Sequence, residues 1–233
     1  MSISSPTPTS SSTSFSTPVA TVTNLLALTT PFFQKPECAS IWTLSHVSTH
    51  DTNGVATTVA FLASDVDDER FTSCQPSGWG SVVPASRFSF SPAVCPSDWT
   101  YYSMASTYHE GITFTTAYCC AGGFALGSGF PDSPYLTTGV PCLRDAAGDV
   151  STAGTLLDQV HEAWHISWAA SDTSSLSPAL PEITSDMHVD TWVPGQTITP
   201  GMYDNTRYRH DGPQIPKSAF WFLVVGVVDS QGK

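Results

Sequence analysis

Six cysteines constrain this chain more than any other feature: Cys38, Cys74, Cys95, Cys119, Cys120 and Cys142, an even number confined to residues 38 to 142. No two of them form a CxxC pair, so neither a zinc ribbon nor a thioredoxin-like redox site fits the spacing. Three disulfides made in an oxidising compartment account for all six, each closing a loop of tens of residues and adding roughly 2 to 4 kcal/mol. Adjacent Cys119 and Cys120 are expected to take different partners, and fifteen connectivities stay open on sequence alone.

Composition agrees with an extracytoplasmic chain. There are 8 basic against 20 acidic side chains and a formal charge of −12, which leaves no basic stripe for phosphates, so nucleic acid is not an expected partner. Charged residues make up 12% of the chain, about half the roughly 25% usual in soluble domains, and serine and threonine take their place. With 40% hydrophobic residues, including 7 Trp, 7 Tyr and 12 Phe, the chain can bury a sizeable core.

Hydropathy divides the chain into three parts. Residues 1–30 read as a disordered Ser/Thr/Pro-rich segment: the first 23 hold 14 hydroxyl residues, three prolines and no charge, too little apolar surface to offset ordering entropy. The first 20 residues also lack a basic n-region and an apolar h-region, so no conventional signal peptide is expected. Residues 31–218 read as a β-rich, cysteine-containing ectodomain built of short alternations broken by Pro, Gly, Asp and Ser. Examples are Ile41–Val47, Val55–Leu62, Arg87–Ser91, Ile112–Tyr118 and His188–Val193, and Asn53-Gly54 between the first two predicts a hairpin turn. Residues 219–233 open with a ten-residue apolar run, Ala219 to Val228. That is half a membrane span of about 20 residues, so it reads as a last buried strand or as a truncated span. The expected fold is all-β, a disulfide-stapled, β-sandwich-like single domain with a disordered N-terminal segment.

Several phrases carry a family resemblance: LTTPF at 28–32, ERFTSCQPSGWG at 69–80, RFSFSPAVCPSDWTYY at 87–102, TTAYCCAGGFAL at 115–126, VPCLRD at 140–145 and ISWAASDTSSLSP at 166–178. In these the chain resembles a family of uncharacterised fungal cell-surface proteins. The resemblance implies a secreted or surface-held, disulfide-bonded β ectodomain with its N-terminus outside the cell. It also implies a single-pass membrane helix, which the ten-residue run here is too short to supply. It brings no enzymatic activity and no functional residues.

One motif looks like chemistry. His161-Glu162-Ala163-Trp164-His165 is a literal HExxH. On a helix its histidines fall at i and i+4 and share a zinc ion, with Glu162 as general base. Leu156, Leu157, Val160, Trp164 and Trp168 permit that helix, and Glu182 would be the third ligand, a loose likeness to the thermolysin-like zinc peptidases. The same residues alternate equally well as a strand, with Val160, Glu162, Trp164, Ile166 and Trp168 on one face and His161, Ala163, His165 and Ser167 on the other. On a strand His161 and Glu162 diverge and the peptidase geometry is lost.

Two weaker signals remain. Asp65, Asp67, Asp68 and Glu69 could hold calcium but lack the EF-hand spacing, and read better as a solvated turn. Trp79, Trp99, Tyr101, Tyr102 and Tyr108 could form a sugar-stacking platform, though their place beside cysteines favours core packing. The expectation is therefore a non-enzymatic surface or secreted module with no cofactor, contacting cell-wall polysaccharide or a surface protein, and touching membrane only through the C-terminal run. The alternative is a zinc metallopeptidase using His161, His165, Glu182 and Glu162.

Overall fold

Alternating side chains put the short segments into strands, and among the described residues every glycine and every proline but Pro92 in the fourth strand and Pro141 at the start of the eighth falls outside them. A computed structural model describes residues 25–50, 56–109, 112–127, 140–145, 157–184 and 187–199. Its strands are β1 (Leu26–Leu28), β2 (Trp42–His50), β3 (Ala56–Ser64), β4 (Ser89–Ala93), β5 (Thr100–His109), β6 (Ile112–Cys120), β7 (Ala125–Leu126), β8 (Pro141–Arg144), β9 (Gln159–Glu162), β10 (Trp164–Ala169) and β11 (His188–Trp192). Single 3-10 turns at Pro36–Ser40, Phe71–Cys74, Trp79–Ser81, Pro84–Ser86 and Ala170–Ser175 fill the connections. The fold is all-β, and each of the five expected segments contains a strand, though β4 begins at Ser89, two residues later than the expected Arg87, and β11 ends at Trp192, before Val193. Among the described residues no helix is long and apolar enough to cross a membrane. The first 24 residues, the Asn53-Gly54 turn and the apolar run at 219–228 lie outside the described residues.

Two mixed sheets result. One has six strands in the order β1-β4-β10-β6-β5-β11, the other five in the order β2-β3-β9-β8-β7. β2 and β3 pair antiparallel from Trp42↔Ser64 to His50↔Ala56. The ordered domain starts earlier than residue 31. Leu26–Leu28 pairs in parallel with β4, because an apolar triplet too short to register as a strand finds a long-range partner.

The segment from Gln159 to Ala169 passes from one sheet to the other. β9 pairs with β3 and β8, β10 with β4 and β6, and Ala163 marks the crossing. The backbone stays hydrogen-bonded through it: Ala163 N–H donates to the Val140 carbonyl (3.0 Å) and His165 N–H to the Phe88 carbonyl (2.8 Å). Both faces of β10 are buried. Trp164, Ile166 and Trp168 enter the main core with Phe90, Tyr101, Met104, Val189 and Trp192. Ala163 belongs to a second cluster with Tyr118, Phe124 and Val140.

The cysteine pairing follows from strand geometry. Cys119 and Cys120 are consecutive on β6 and point to opposite faces. Cys119 bonds Cys95 in the main core, Cys120 bonds Cys142 on β8 and so ties the two sheets together, and Cys38–Cys74 staples the first two 3-10 turns. Sequence separations of 36, 24 and 22 residues correspond to about 3.5 kcal/mol of lost unfolded-chain entropy per bridge.

Candidate functional site

The HExxH residues lie on strands. His161 and Glu162 end β9, His165 is the second residue of β10, and the helix that a zinc peptidase requires is not formed. His161 is held on both ring nitrogens. Nδ1 lies 2.9 Å from the Glu162 carbonyl and Nε2 accepts from the Ala121 N–H at 3.3 Å, the pattern of a neutral ring protonated on Nδ1. Its pKa is pushed down to about 4, chiefly by burial, with Arg144 adding to the fall and the Glu162 bond opposing it. His165 is 3% exposed against Tyr118, its Nε2 without a partner, and burial lowers its pKa to about 4 as well. Glu182 is exposed on the segment after the Ala170–Ser175 turn. The structure does not bring His161, His165 and Glu182 together, and among the described residues no three His, Cys, Asp or Glu side chains are grouped to hold a metal. The physical reason is pairing: β9 and β10 are each claimed on both edges by neighbouring strands, which outweighs the local helical periodicity.

His161 and Glu162 do share one feature, a cavity of about 200 Å³ between the Pro36–Ser40 turn, β3, β9 and the sheet crossing. A third of its lining residues are aromatic, seven Phe and Trp side chains among 21. Trp42 stacks on Phe124 at 6.1 Å between centroids, and the Arg144 guanidinium lies 4.9 Å over the other partner of that wall, Phe124. The His161 ring packs between Phe124 (4.7 Å) and Trp99 (5.1 Å), and Trp99 meets Trp164 at 5.2 Å. Arg144 is steadied by the side-chain carbonyl of Gln159. The polar side chains of the lining are Gln34, Ser64, Arg144, His161, the 3% exposed Glu162, and Gln75, which is 7% exposed and whose Oε1 has no hydrogen-bond partner. A buried amide oxygen left unpaired costs about 1 to 3 kcal/mol, so a group that donates to it would be bound with that much in its favour.

The other sequence candidates resolve into structure. Asp65 Oδ1 accepts the Asp67 N–H (3.0 Å), and Asp68 holds Arg70 through both carboxylate oxygens (2.7 and 3.0 Å). That bond lowers the Asp68 pKa to about 2, and the cluster is a turn in which Arg70 pairs with one of the four carboxylates. Of the five aromatics, Trp79, Trp99 and Tyr101 are buried, and Tyr108 is exposed. Only Trp99 faces the cavity. Sequence reasoning missed Gln75, Trp42, Phe124 and Arg144. The one signal for Gln75 was its position directly after Cys74, an uncharged polar residue inside a cysteine and aromatic phrase.

Comparison with known proteins sets nothing beside this geometry: no family profile, no curated protein and no solved structure matches the chain.

Proposed function

We propose that this chain is an extracellular recognition module whose cavity takes one sugar ring of a cell-wall or surface polysaccharide and does no chemistry on it. The observation that carries the reading is the unpaired Gln75 Oε1 in a cavity partly lined by aromatic rings. An engineered cavity of about 150 Å³ takes up benzene, so about 200 Å³ here has room for one six-membered ring with substituents. A sugar combines the two chemistries this lining calls for: an apolar C–H face to lie against aromatic rings and a hydroxyl donor for the Gln75 Oε1. Three buried disulfides support an oxidising compartment, and the low charge and the resemblance to fungal surface proteins support a place at the cell surface. Zinc peptidase chemistry finds no support in the strand geometry.

The test is saturation-transfer NMR on the oxidised chain with a panel of monosaccharides and wall oligosaccharides. Transfer to one ring of one sugar, lost in Gln75→Leu and weakened in Trp99→Phe, is the expected result. Absence of transfer to every sugar by a folded wild-type chain, or transfer unaffected by both variants, refutes the proposal.

A further inference from the structure

A second constellation lies away from the cavity, at the edge of the six-stranded sheet. β11 is the edge strand and pairs with β5, Met104 opposite Val189 and Tyr102 opposite Thr191. Against its other neighbour β5 carries an extra residue. Tyr102 opposes Tyr118 and Ala105 opposes Thr116, so three steps along β5 match two along β6. Bulges of this kind re-aim a side chain and are over-represented beside active sites. Ser103 sits in the bulge with φ 54°, a left-handed conformation that costs a non-glycine residue about 1 to 3 kcal/mol. Its Oγ is 3.0 Å from Nε2 of His188. On the far side of the ring, Nδ1 of His188 lies 3.3 Å from Oδ1 of Asp190. The imidazole is largely buried, at 13% exposure, while the carboxylate is 65% exposed.

We propose that Ser103, His188 and Asp190 form a hydrolytic site for carboxylic esters, a function beyond sugar recognition and independent of it. The roles follow from the distances: a nucleophile within hydrogen-bond reach of a base that a third group orients. Ser103 Oγ attacks the ester carbonyl carbon and passes its proton to His188 Nε2, while the carbonyl electron pair moves onto oxygen. The tetrahedral intermediate reforms its C=O bond and breaks the bond to the alcohol oxygen, which leaves with the proton from His188. Water then adds to the acyl-serine with His188 as base. Ser103 Oγ departs protonated, and the net reaction is ester plus water to acid plus alcohol. Asp190 is a positioning residue. Its contact with Nδ1 is not aligned as a hydrogen bond at rest but is within ion-pair range, so it acts when the ring gains its proton.

A serine that merely pinned an edge strand to its neighbour would need neither a left-handed backbone nor a carboxylate behind the imidazole. Esters are favoured over amides because the site lies on an open edge, where water competes with fixed donors for the developing oxyanion and an alcohol is the easier leaving group. None of the three residues lines the cavity, so the two sites are separate.

The experiment treats the oxidised full chain with a fluorophosphonate probe and maps the adduct by peptide mass spectrometry. The expected adduct is on Ser103 in native protein and absent after thermal unfolding. Labelling should slow at least about 100-fold in His188→Gln, the range general-base loss produces. It should slow in Asp190→Asn and partly recover in Asp190→Glu. Native protein with all three disulfides mapped and no adduct at Ser103, or a labelling rate that His188→Gln leaves unchanged, overturns the proposal.

Discussion

His161 and His165 are buried as neutral rings, and each takes a proton more readily in the unfolded chain than in the folded one. Their folded pKa values are near 4 against an ordinary 6.5, so between those values the unfolded state binds more protons. Stability therefore falls as pH drops through 6.5 toward 4. For one such histidine, moving from pH 7 to pH 5 costs about 1.8 kcal/mol, and for the pair about 3.7 kcal/mol, a large share of a typical 5 to 15 kcal/mol. Asp68 stays out of this window, since its pKa near 2 makes its titration an event of stronger acid. Urea unfolding of the oxidised chain at the two pH values measures the difference directly. His165→Leu separates the two rings, because the quantity compared is the pH dependence and the altered packing cancels. The variant should keep only about half of the loss, about 1.8 kcal/mol. Wild-type stability that is the same at pH 5 and pH 7, or a His165→Leu chain with the full pH dependence, would refute the claim that these rings are buried neutral.

Other outcomes follow from the core and the bridges. Phe90→Ala should cost about 3 to 5 kcal/mol, since Phe90 is 1% exposed and stacks 4.6 Å from Trp164; denaturant titration measures it, and a loss below 1 kcal/mol would contradict that packing. Non-reduced peptide mapping should recover only the 38–74, 95–119 and 120–142 pairs. Replacing Cys120 and Cys142 together by alanine should lower stability by about 3.4 kcal/mol through the loop-closure term, and an unchanged urea midpoint would argue against that bridge. Zinc should neither raise the melting temperature nor be retained through dialysis. Stoichiometric zinc lost in His165→Ala would mean that residues 159–169 leave their strands.

The strands were legible because the alternation of Ile41–Val47, Ile112–Tyr118 and His188–Val193 is local, and a local pattern survives in sequence. The distinct partners of Cys119 and Cys120 were legible for the same reason, as neighbours on a strand face opposite ways. What could not be read was pairing at a distance. Leu26–Leu28 becomes a strand only because β4 offers it an edge, and β9 and β10 divide between two sheets at Ala163, a residue with no turn signal of its own. The cavity is a product of that division. Gln75, Trp42, Phe124 and Arg144 reach it from four separate stretches of chain, and no single phrase holds two of them.

The contrast between HEAWH and Ser103–His188–Asp190 carries this further. HEAWH is compact in sequence, but its presumed geometry depends on a helix. Once β10 is enclosed by β4 and β6, His161 is taken up by two backbone groups and His165 by the core. Ser103 and His188 are 85 residues apart and share no pattern, yet antiparallel pairing of β5 with β11 puts them in contact, and a one-residue bulge supplies the orientation. Spacing along the chain bears on a site only when a single element holds all its members. Where two strands hold them, register decides. Deleting one residue from the bulge, for instance Ser103 itself with Met104→Ser to restore a hydroxyl near the same position, should therefore abolish probe labelling while β5 and β6 remain paired. Labelling that persists in such a chain would show that the bulge has no part in aiming the serine.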